Sequence, residues 1–113
     1  MKRQFIYLAS PYSHPDPTVR EARFKAVCKK AAEYLSEGKC VFSPIAHSHP
    51  LVEFLPEEKC MDFEFWMKAD LPILRDAAEL HILMLEGWHG SRGVQRETEY
   101  ADAIGIPVFR VQP

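Results

Sequence analysis

Cysteine is scarce in this sequence and follows no recognisable pattern. Cys28, Cys40 and Cys60 are odd in number, widely spaced and form no Cys-x-x-Cys pair. This spacing argues against a disulfide framework and against a structural zinc site, because both need paired or closely spaced cysteines. Cys28 and Cys40 fall where we expect small buried hydrophobic side chains. The sparse thiols indicate a protein of a reducing compartment.

Long apolar runs and a surplus of basic charge are also missing. No apolar segment approaches the roughly 20 residues that a membrane-spanning helix needs. The first predicted strand begins at residue 4, so we expect no signal peptide. The formal net charge is −2 and the pI is about 6.2, so no basic field attracts nucleic acid. We expect a cytosolic protein that binds neither membrane nor nucleic acid.

Repeats, linkers and low-complexity segments are absent as well. The chain has 113 residues, of which 47% are hydrophobic and 27% are charged. That length is sufficient for one hydrophobic core and too short for two. We therefore predict a single domain that spans residues 1–113.

The most informative segment that is present spans residues 80–101. It begins as a continuous apolar run, which is typical of a strand buried on both faces of a parallel sheet. Gly87 and Gly90 supply a turn, Ser91 is a suitable N-cap for a helix, and Gly105 ends that helix. Strand, tight loop and helix together predict an anion site, because the loop N–H groups and the positive helix end face the same point.

Glu97 lies in this helix at an unusual position. Gly93, Glu97 and Ala101 recur at intervals of four, so the carboxylate lies between two residues with almost no side chain. Such a carboxylate has room for a ligand ring against it. Spacing alone favours the simpler interpretation, which is a solvated helix carboxylate, because short motifs often match by chance.

The first predicted strand, residues 4–9, is a short apolar run that ends in a polar turn. Ligands bind at the carboxyl ends of strands in open α/β sheets. Ser10, Tyr12 and Ser13 therefore lie at a plausible ligand edge, with donors suited to a phosphate or a sugar. Tyr7 carries the one polar tip within the strand, and on its own it is best explained as a core aromatic with a satisfied hydroxyl.

The second predicted strand, residues 40–44, leads into a loop that carries His47 and His49. Two histidines at this spacing lack a third ligand of suitable type, so the pattern does not favour a metal site. A loop rich in imidazole and hydroxyl groups at a strand end is better interpreted as part of a base or sugar pocket. Which histidine faces the pocket stays open.

Two helices are predicted beside these strands. The first runs to Ser36, and its predicted buried face comprises Phe24, Cys28, Ala31 and Leu35. The second begins at Pro56 and is rich in methionine and aromatic residues, which indicates either core packing or a face for a second subunit. Pro72 is expected to break or kink this helix. The simplest interpretation of Asp70 is then a capping residue for the short helix that follows.

Three short pieces of the sequence resemble the nucleoside 2-deoxyribosyltransferase superfamily, which includes deoxynucleoside 5′-monophosphate N-glycosidases. The pieces are Ser91-x-Gly93-Val94-x-x-Glu97-x-x-x-Ala101, Ile6-Tyr7-Leu8-Ala9, and Asp70 with Ala77 seven residues on. The wider layout, with the Gly87-Trp88 pair before the serine, is similar to a group of short proteins within that superfamily.

The resemblance implies a role for each matching residue. Glu97 would be the nucleophile that attacks the anomeric carbon, Tyr7 would orient its carboxylate, and Asp70 would contact the base and assist its departure. An acid often occupies the position of Ser91 in transferases that use free nucleosides. A serine there resembles the monophosphate hydrolases, because a carboxylate would repel a phosphate.

The expected function is cleavage of an N-glycosidic bond, by hydrolysis or base transfer, in 2′-deoxynucleoside 5′-monophosphates or nucleosides. The alternative is a non-catalytic nucleotide or nucleotide-sugar binding module on the same fold. The expected catalytic residues are Tyr7, Asp70 and Glu97. The expected substrate-binding residues are Ser10, Tyr12, Ser13, His47, His49, Gly87, Trp88, Ser91 and Gly93. We expect no cofactor or metal, and we expect a homodimer or a higher homo-oligomer.

Strands that alternate with helices predict an α/β fold with a doubly wound, flavodoxin-like or Rossmann-like parallel sheet of four or five strands. Right-handed crossovers and the resemblance together predict the strand order 2-1-3-4. This order places the edge with Tyr7 and Ser10 beside the edge with Gly87 and Glu97. The separate candidate residues would then form one pocket.

Overall fold

The computed structural model describes residues 5–113; Gln4, the first residue of the predicted first strand, lies outside that range. The strands are β1 (Phe5–Ala9), β2 (Cys40–Phe42), β3 (Glu79–Leu83) and β4 (Val108–Val111). The helices are α1 (Pro17–Ser36), α2 (Pro44–Ser48), α3 (Glu57–Cys60), α4 (Phe63–Arg75) and α5 (Arg92–Ala103), with short 3-10 segments at His49–Phe54 and Trp88–Gly90. None of the helices in the described range combines the length and apolarity required to cross a membrane.

The four strands form one sheet in the order β2-β1-β3-β4, and every neighbouring pair is parallel. The predicted α/β fold and the predicted order 2-1-3-4 are therefore confirmed. Tyr7 of β1 pairs with Phe42 on one side and with Leu80 on the other. Because β1 and β3 are adjacent and parallel, their carboxyl ends meet at one edge of the sheet.

The core has one layer on each face of the sheet. Tyr7, Leu80 and Ile82 pack against α4 and α5 through Leu74 and Val94. The opposite layer is smaller, and it holds Leu8, Leu83, Val27 and Tyr34. Successive strand residues point to opposite faces, so Tyr7 and Leu8 necessarily belong to different layers. This alternation places the polar tip of Tyr7 on the same side as α4 and α5.

The predicted buried face of α1 is partly wrong. Leu35 is 60% exposed, whereas Val27 and Tyr34 are buried. The buried stripe is rotated because Tyr34 lies under the sheet edge with its hydroxyl 2.7 Å from Nδ1 of His81. The expected burial of two cysteines is also wrong, since Cys28 is half-buried and Cys40 is exposed.

Three further sequence predictions require correction. The predicted loop after β2 is mostly helical, with α2 and the first 3-10 segment in its place. Pro72 lies inside α4 and does not end it, so Asp70 is an interior residue of that helix and not a cap. Burial of the apolar side chains of Met67 and Leu74 on either side of Pro72 stabilises the helix past the missing N–H. The second strand is also shorter than the predicted residues 40–44, since β2 ends at Phe42.

Candidate active site

Glu97 lies on the inner face of α5 and is only 4% exposed. Ser91 caps this helix, and its Oγ accepts a hydrogen bond of 3.2 Å from the N–H of Val94. With the helix start held in this way, Val94, Glu97 and Ala101 all face the sheet. The side chain at position 97 is therefore an internal carboxyl group, and the alternative of a solvated helix carboxylate is wrong.

Tyr7 is the direct partner of Glu97. The tyrosine is completely buried, and its hydroxyl donates a hydrogen bond to Oε2 of Glu97. Burial raises the pKa of Tyr7 well above its ordinary value, and the charges of Glu97 and Asp70 raise it further. The phenol thus stays protonated, and it acts as a fixed donor that holds one oxygen of the carboxyl group.

Asp70 supplies a second buried carboxyl group from α4. It is 8% exposed, and burial raises its pKa to about 6. The same α4 and α5 helices that cover this face of the sheet bring Asp70 close enough for its charge to act on both Tyr7 and Glu97. The structure therefore brings all three expected catalytic residues into one cluster.

The pKa of Glu97 rises to about 8, mainly because the group is buried. The hydrogen bond from Tyr7 lowers this pKa, and the charge of Asp70 raises it. At pH 7 the protonated form of Glu97 and the ionised form of Asp70 therefore predominate. A nucleophilic Glu97 beside a proton-donating Asp70 is therefore the minor protonation state of this pair, and it forms when a proton moves from Glu97 to Asp70.

Ser10 directly follows β1, three residues after Tyr7. It is 6% exposed, and its hydroxyl is the one buried side-chain polar atom of residues 5–113 without a hydrogen-bond partner. Buried hydroxyl groups are normally paired, so an unpaired one at a sheet edge indicates a position where a ligand atom binds. Ser13, by contrast, is exposed and uses its carbonyl oxygen to accept from Arg23.

A cavity of about 510 Å³ lies beside the loop that follows β1, and Tyr12 and His49 both line it. The hydroxyl of Tyr12 is 2.6 Å from Nδ1 of His49, and Nε2 of His49 is 2.8 Å from Oε2 of Glu21. Phe24 stacks on the imidazole with 4.2 Å between ring centroids. His47 is exposed and contacts Ser48 and the ring of Phe42 instead. Of the two candidate histidines, His49 is therefore the one at a cavity.

A second cavity, of about 220 Å³, lies over β3 and β4. Trp88 lines it, with the ring of His89 stacked at 4.1 Å and the guanidinium of Arg110 5.6 Å from its ring centroid. Neither cavity is lined by Tyr7, Asp70 or Glu97. Neither of these two cavities is therefore the single pocket that the sequence predicts, and the carboxyl cluster lies outside both.

The small residues on either side of Glu97 have different roles. A methyl group added at Gly93 would be 3.9 Å from Cε of Met67, which is an ordinary contact. Ala101 is completely buried and packs in the core. The room for a ligand ring that the spacing predicts is consequently absent on the Ala101 side.

Sequence reasoning missed Arg23 and Glu21. Both lie near the start of α1, directly after the loop of β1, and Arg23 donates to the carbonyl oxygens of Ser13 and Glu86. Their position one or two turns after a ligand-edge loop was the available signal. Among residues 5–113 no group of three or more histidine, cysteine, aspartate or glutamate side chains is arranged to hold a metal ion.

Comparison with known proteins identifies a family that matches this chain. The model of a family described as a domain of unknown function (DUF1937) matches residues 4–112. A solved structure of the 2-deoxyribosyltransferase from the psychrotolerant bacterium Bacillus psychrosaccharolyticus is 28% identical in sequence, with a TM-score of 0.67. The match covers 96% of this chain and 72% of that protein. No curated protein matches the sequence.

Proposed function

The chain belongs to the DUF1937 family, a nucleoside 2-deoxyribosyltransferase-like family, and from this membership we propose that it cleaves N-glycosidic bonds in 2′-deoxynucleoside 5′-monophosphates or nucleosides. The observation that carries the proposal is the contact between Tyr7 and Glu97 beside Asp70. A buried carboxyl group with a fixed donor and a second acid is costly for folding. Such groups cluster at sites of catalysis.

In the proposed reaction, ionised Glu97 attacks the anomeric carbon through an oxocarbenium-like transition state. The bond from this carbon to the base nitrogen breaks, and its electron pair leaves with the base. Asp70 gives its proton to the departing base. The product of this half-reaction is a free base and a glycosyl ester on Glu97.

Water or a second base then opens the ester. When water attacks the anomeric carbon, ionised Asp70 takes its proton, and the carboxylate of Glu97 is released. This step completes hydrolysis and returns both carboxyl groups to their starting state. Tyr7 holds the carboxylate in position throughout, because its hydroxyl donates to the oxygen that does not attack.

The 5′ end of the substrate is assigned to the loops at the carboxyl ends of β1 and β3. The free hydroxyl of Ser10, the loop N–H groups and the start of α5 at Ser91 offer donors and a positive dipole, which suits a phosphate. We therefore favour nucleotides over nucleosides and water over a second base. Tyr12, His49 and the cavity they line are assigned to the base or the sugar.

The test is release of free base from each of the four common deoxynucleoside 5′-monophosphates and from the matching nucleosides, separated by chromatography. Glu97→Gln should lower turnover by about a thousandfold or more while nucleotide binding persists. Asp102→Asn, which changes an exposed carboxylate on the same helix outside both cavities, is the control and should retain activity.

Two outcomes would contradict parts of the proposal. Binding of nucleotides without any base release, unchanged in Glu97→Gln, would indicate the binding module instead of an enzyme. Equal release from nucleosides and monophosphates would refute the assignment of Ser10 and Ser91 to a phosphate. Adding a free base to the reaction and looking for a new nucleoside separates transfer from hydrolysis.

A further inference from the structure

Arg23 connects the loop after β1 with the loop after β3. Its Nη1 donates to the carbonyl oxygen of Ser13 at 3.0 Å, and its Nη2 donates to the carbonyl oxygen of Glu86 at 3.1 Å. Ser13 lies in the loop after β1, and Glu86 lies in the loop after β3. Among the hydrogen bonds of residues 5–113, this is the one side chain that donates to both loops.

The two hydrogen bonds of Arg23 depend on the planar shape of its guanidinium group. Two carbonyl oxygens on separate loops are reached by two nitrogens held at a fixed spacing in one rigid group. A lysine ammonium would carry the same charge on a single atom. The interaction with two backbone carbonyls therefore requires arginine and depends little on the neighbouring side chains.

The absence of a side chain at Gly87 leaves space for the same contact. Its φ is +88°, and a Cβ built at this position would lie 2.9 Å from Nη2 of Arg23. Gly38 and Gly105 also have positive φ, of +80°, but an added Cβ at either would meet no atom within 4 Å. The space at Gly87 is thus occupied by the guanidinium. This explains a glycine that the sequence alone assigns to the substrate.

We propose that Arg23 is a positioning residue, which holds the β1 loop with Ser10 and Tyr12 at a fixed distance from the β3 loop with Gly87 and Trp88. This role rests on the proposed function, because a substrate placed between the ends of β1 and β3 needs both loops at once. A displacement of about 1 Å between reacting groups is enough to lower a rate about a hundredfold. Among the hydrogen bonds of residues 5–113, none joins Arg23 to Tyr7, Asp70 or Glu97.

The first experiment measures kcat/KM for base release in Arg23→Met, Arg23→Lys, Gly87→Ala and the double variant Arg23→Met/Gly87→Ala. Arg23→Met and Gly87→Ala should each lower kcat/KM about tenfold or more, and the double variant should lose no more than the worse single variant. Arg23→Lys should restore only part of the loss. Gly38→Ala, which introduces a similar backbone strain without the contact, should leave kcat/KM unchanged.

The pH profile separates positioning from general damage. Its breaks should stay near pH 6 and pH 8 in Arg23→Met, because Tyr7, Asp70 and Glu97 are untouched. Additive effects of Arg23→Met and Gly87→Ala, full rescue by Arg23→Lys, or equal losses in Gly87→Ala and Gly38→Ala would each overturn the proposal.

A second experiment needs no substrate. Hydrogen exchange of backbone amides in residues 10–16 should become faster in Gly87→Ala, whose substitution lies in the other loop, and remain unchanged in Gly38→Ala. Unchanged exchange in Gly87→Ala would refute the link between the loops. Faster exchange in a protein that releases no base from any substrate would preserve the link and refute the proposed reaction.

Discussion

Removal of one hydroxyl group from the carboxyl cluster should change the pH dependence of the reaction in a specific way. In the proposed reaction the reactive form has Glu97 ionised and Asp70 protonated, with pKa values of about 8 and about 6. We expect kcat/KM to rise up to about pH 6, to stay level up to about pH 8, and to fall above it. The two pH values at which the profile changes slope, its acid and alkaline breaks, are properties of the coupled pair of carboxyl groups and not of either group alone.

Tyr7→Phe deletes the donor that lowers the pKa of Glu97. A hydrogen bond to a charged group contributes about 1.5–3 kcal/mol. Its loss corresponds to about ten- to hundredfold less ionised Glu97 at pH 7, and kcat/KM should fall by the same factor. The same loss raises the pKa of Glu97 by about one to two units. Glu97 is therefore mostly ionised in both proteins only about one to two pH units above the alkaline break, and the difference between them should shrink there.

The assay is base release measured from pH 5 to about pH 10 for the unmodified protein and Tyr7→Phe. Tyr34→Phe is the matched control, because Tyr34 is also a buried tyrosine with a bonded hydroxyl but lies in the other core layer. It should reduce stability by about 1 kcal/mol and leave both breaks in place. A loss in Tyr7→Phe that is equal at every pH would refute the argument that Tyr7 acts through the ionisation of Glu97.

Three further predictions concern the same cluster. Asp70→Asn should abolish the fall of kcat/KM above pH 8, since no proton remains to be lost from the acid; persistence of that fall would contradict the role of Asp70. The folded-state pKa of Glu97 is raised from 4.5 to about 8, so its contribution to stability is complete below pH 4.5 and is lost as pH rises through 8. Between pH 4.5 and pH 8 the free energy of unfolding should therefore fall by about 1.4 kcal/mol per pH unit, and Glu97→Gln should abolish this fall, as measured by urea unfolding. An unchanged fall in the variant would refute the burial argument. Ser10→Ala should leave the urea midpoint unchanged or higher, because the buried hydroxyl has no partner, while KM rises for monophosphates more than for nucleosides; a large loss of stability would mean that the hydroxyl is bonded within the protein.

Much of the fold was predictable because its signals are local. The apolar run of β3, the turn at Gly87 and the N-cap at Ser91 each depend on neighbours in sequence. The order of the strands followed from right-handed crossovers and the family resemblance. Predictions failed where long-range packing decides, as at Leu35, which the rotated stripe of α1 leaves exposed, and at Pro72, which buried neighbours keep inside a helix.

The candidate site was predictable in its residue types and only partly in its contacts. Tyr7, Asp70 and Glu97 were identified from short motifs, and the structure brings them together. The exposure of His47, the cavity at His49 and the link through Arg23 were not predictable. Each depends on how α1 and the segment after β2 pack over the sheet edge, and such packing leaves no periodic trace in the sequence.

The sequence by itself determined which segments become strands and helices, because hydrophobic periodicity, glycine and proline act over a few residues. It also determined that a glutamate follows a capped helix start by six residues, which places it on the inner face of α5. Only the tertiary structure decided that this carboxyl group is buried against Tyr7 and Asp70, residues far away in the chain. Their proximity raises the pKa of Glu97, and a raised pKa is a property of the assembled core, since burial and neighbouring charges come from three separate elements.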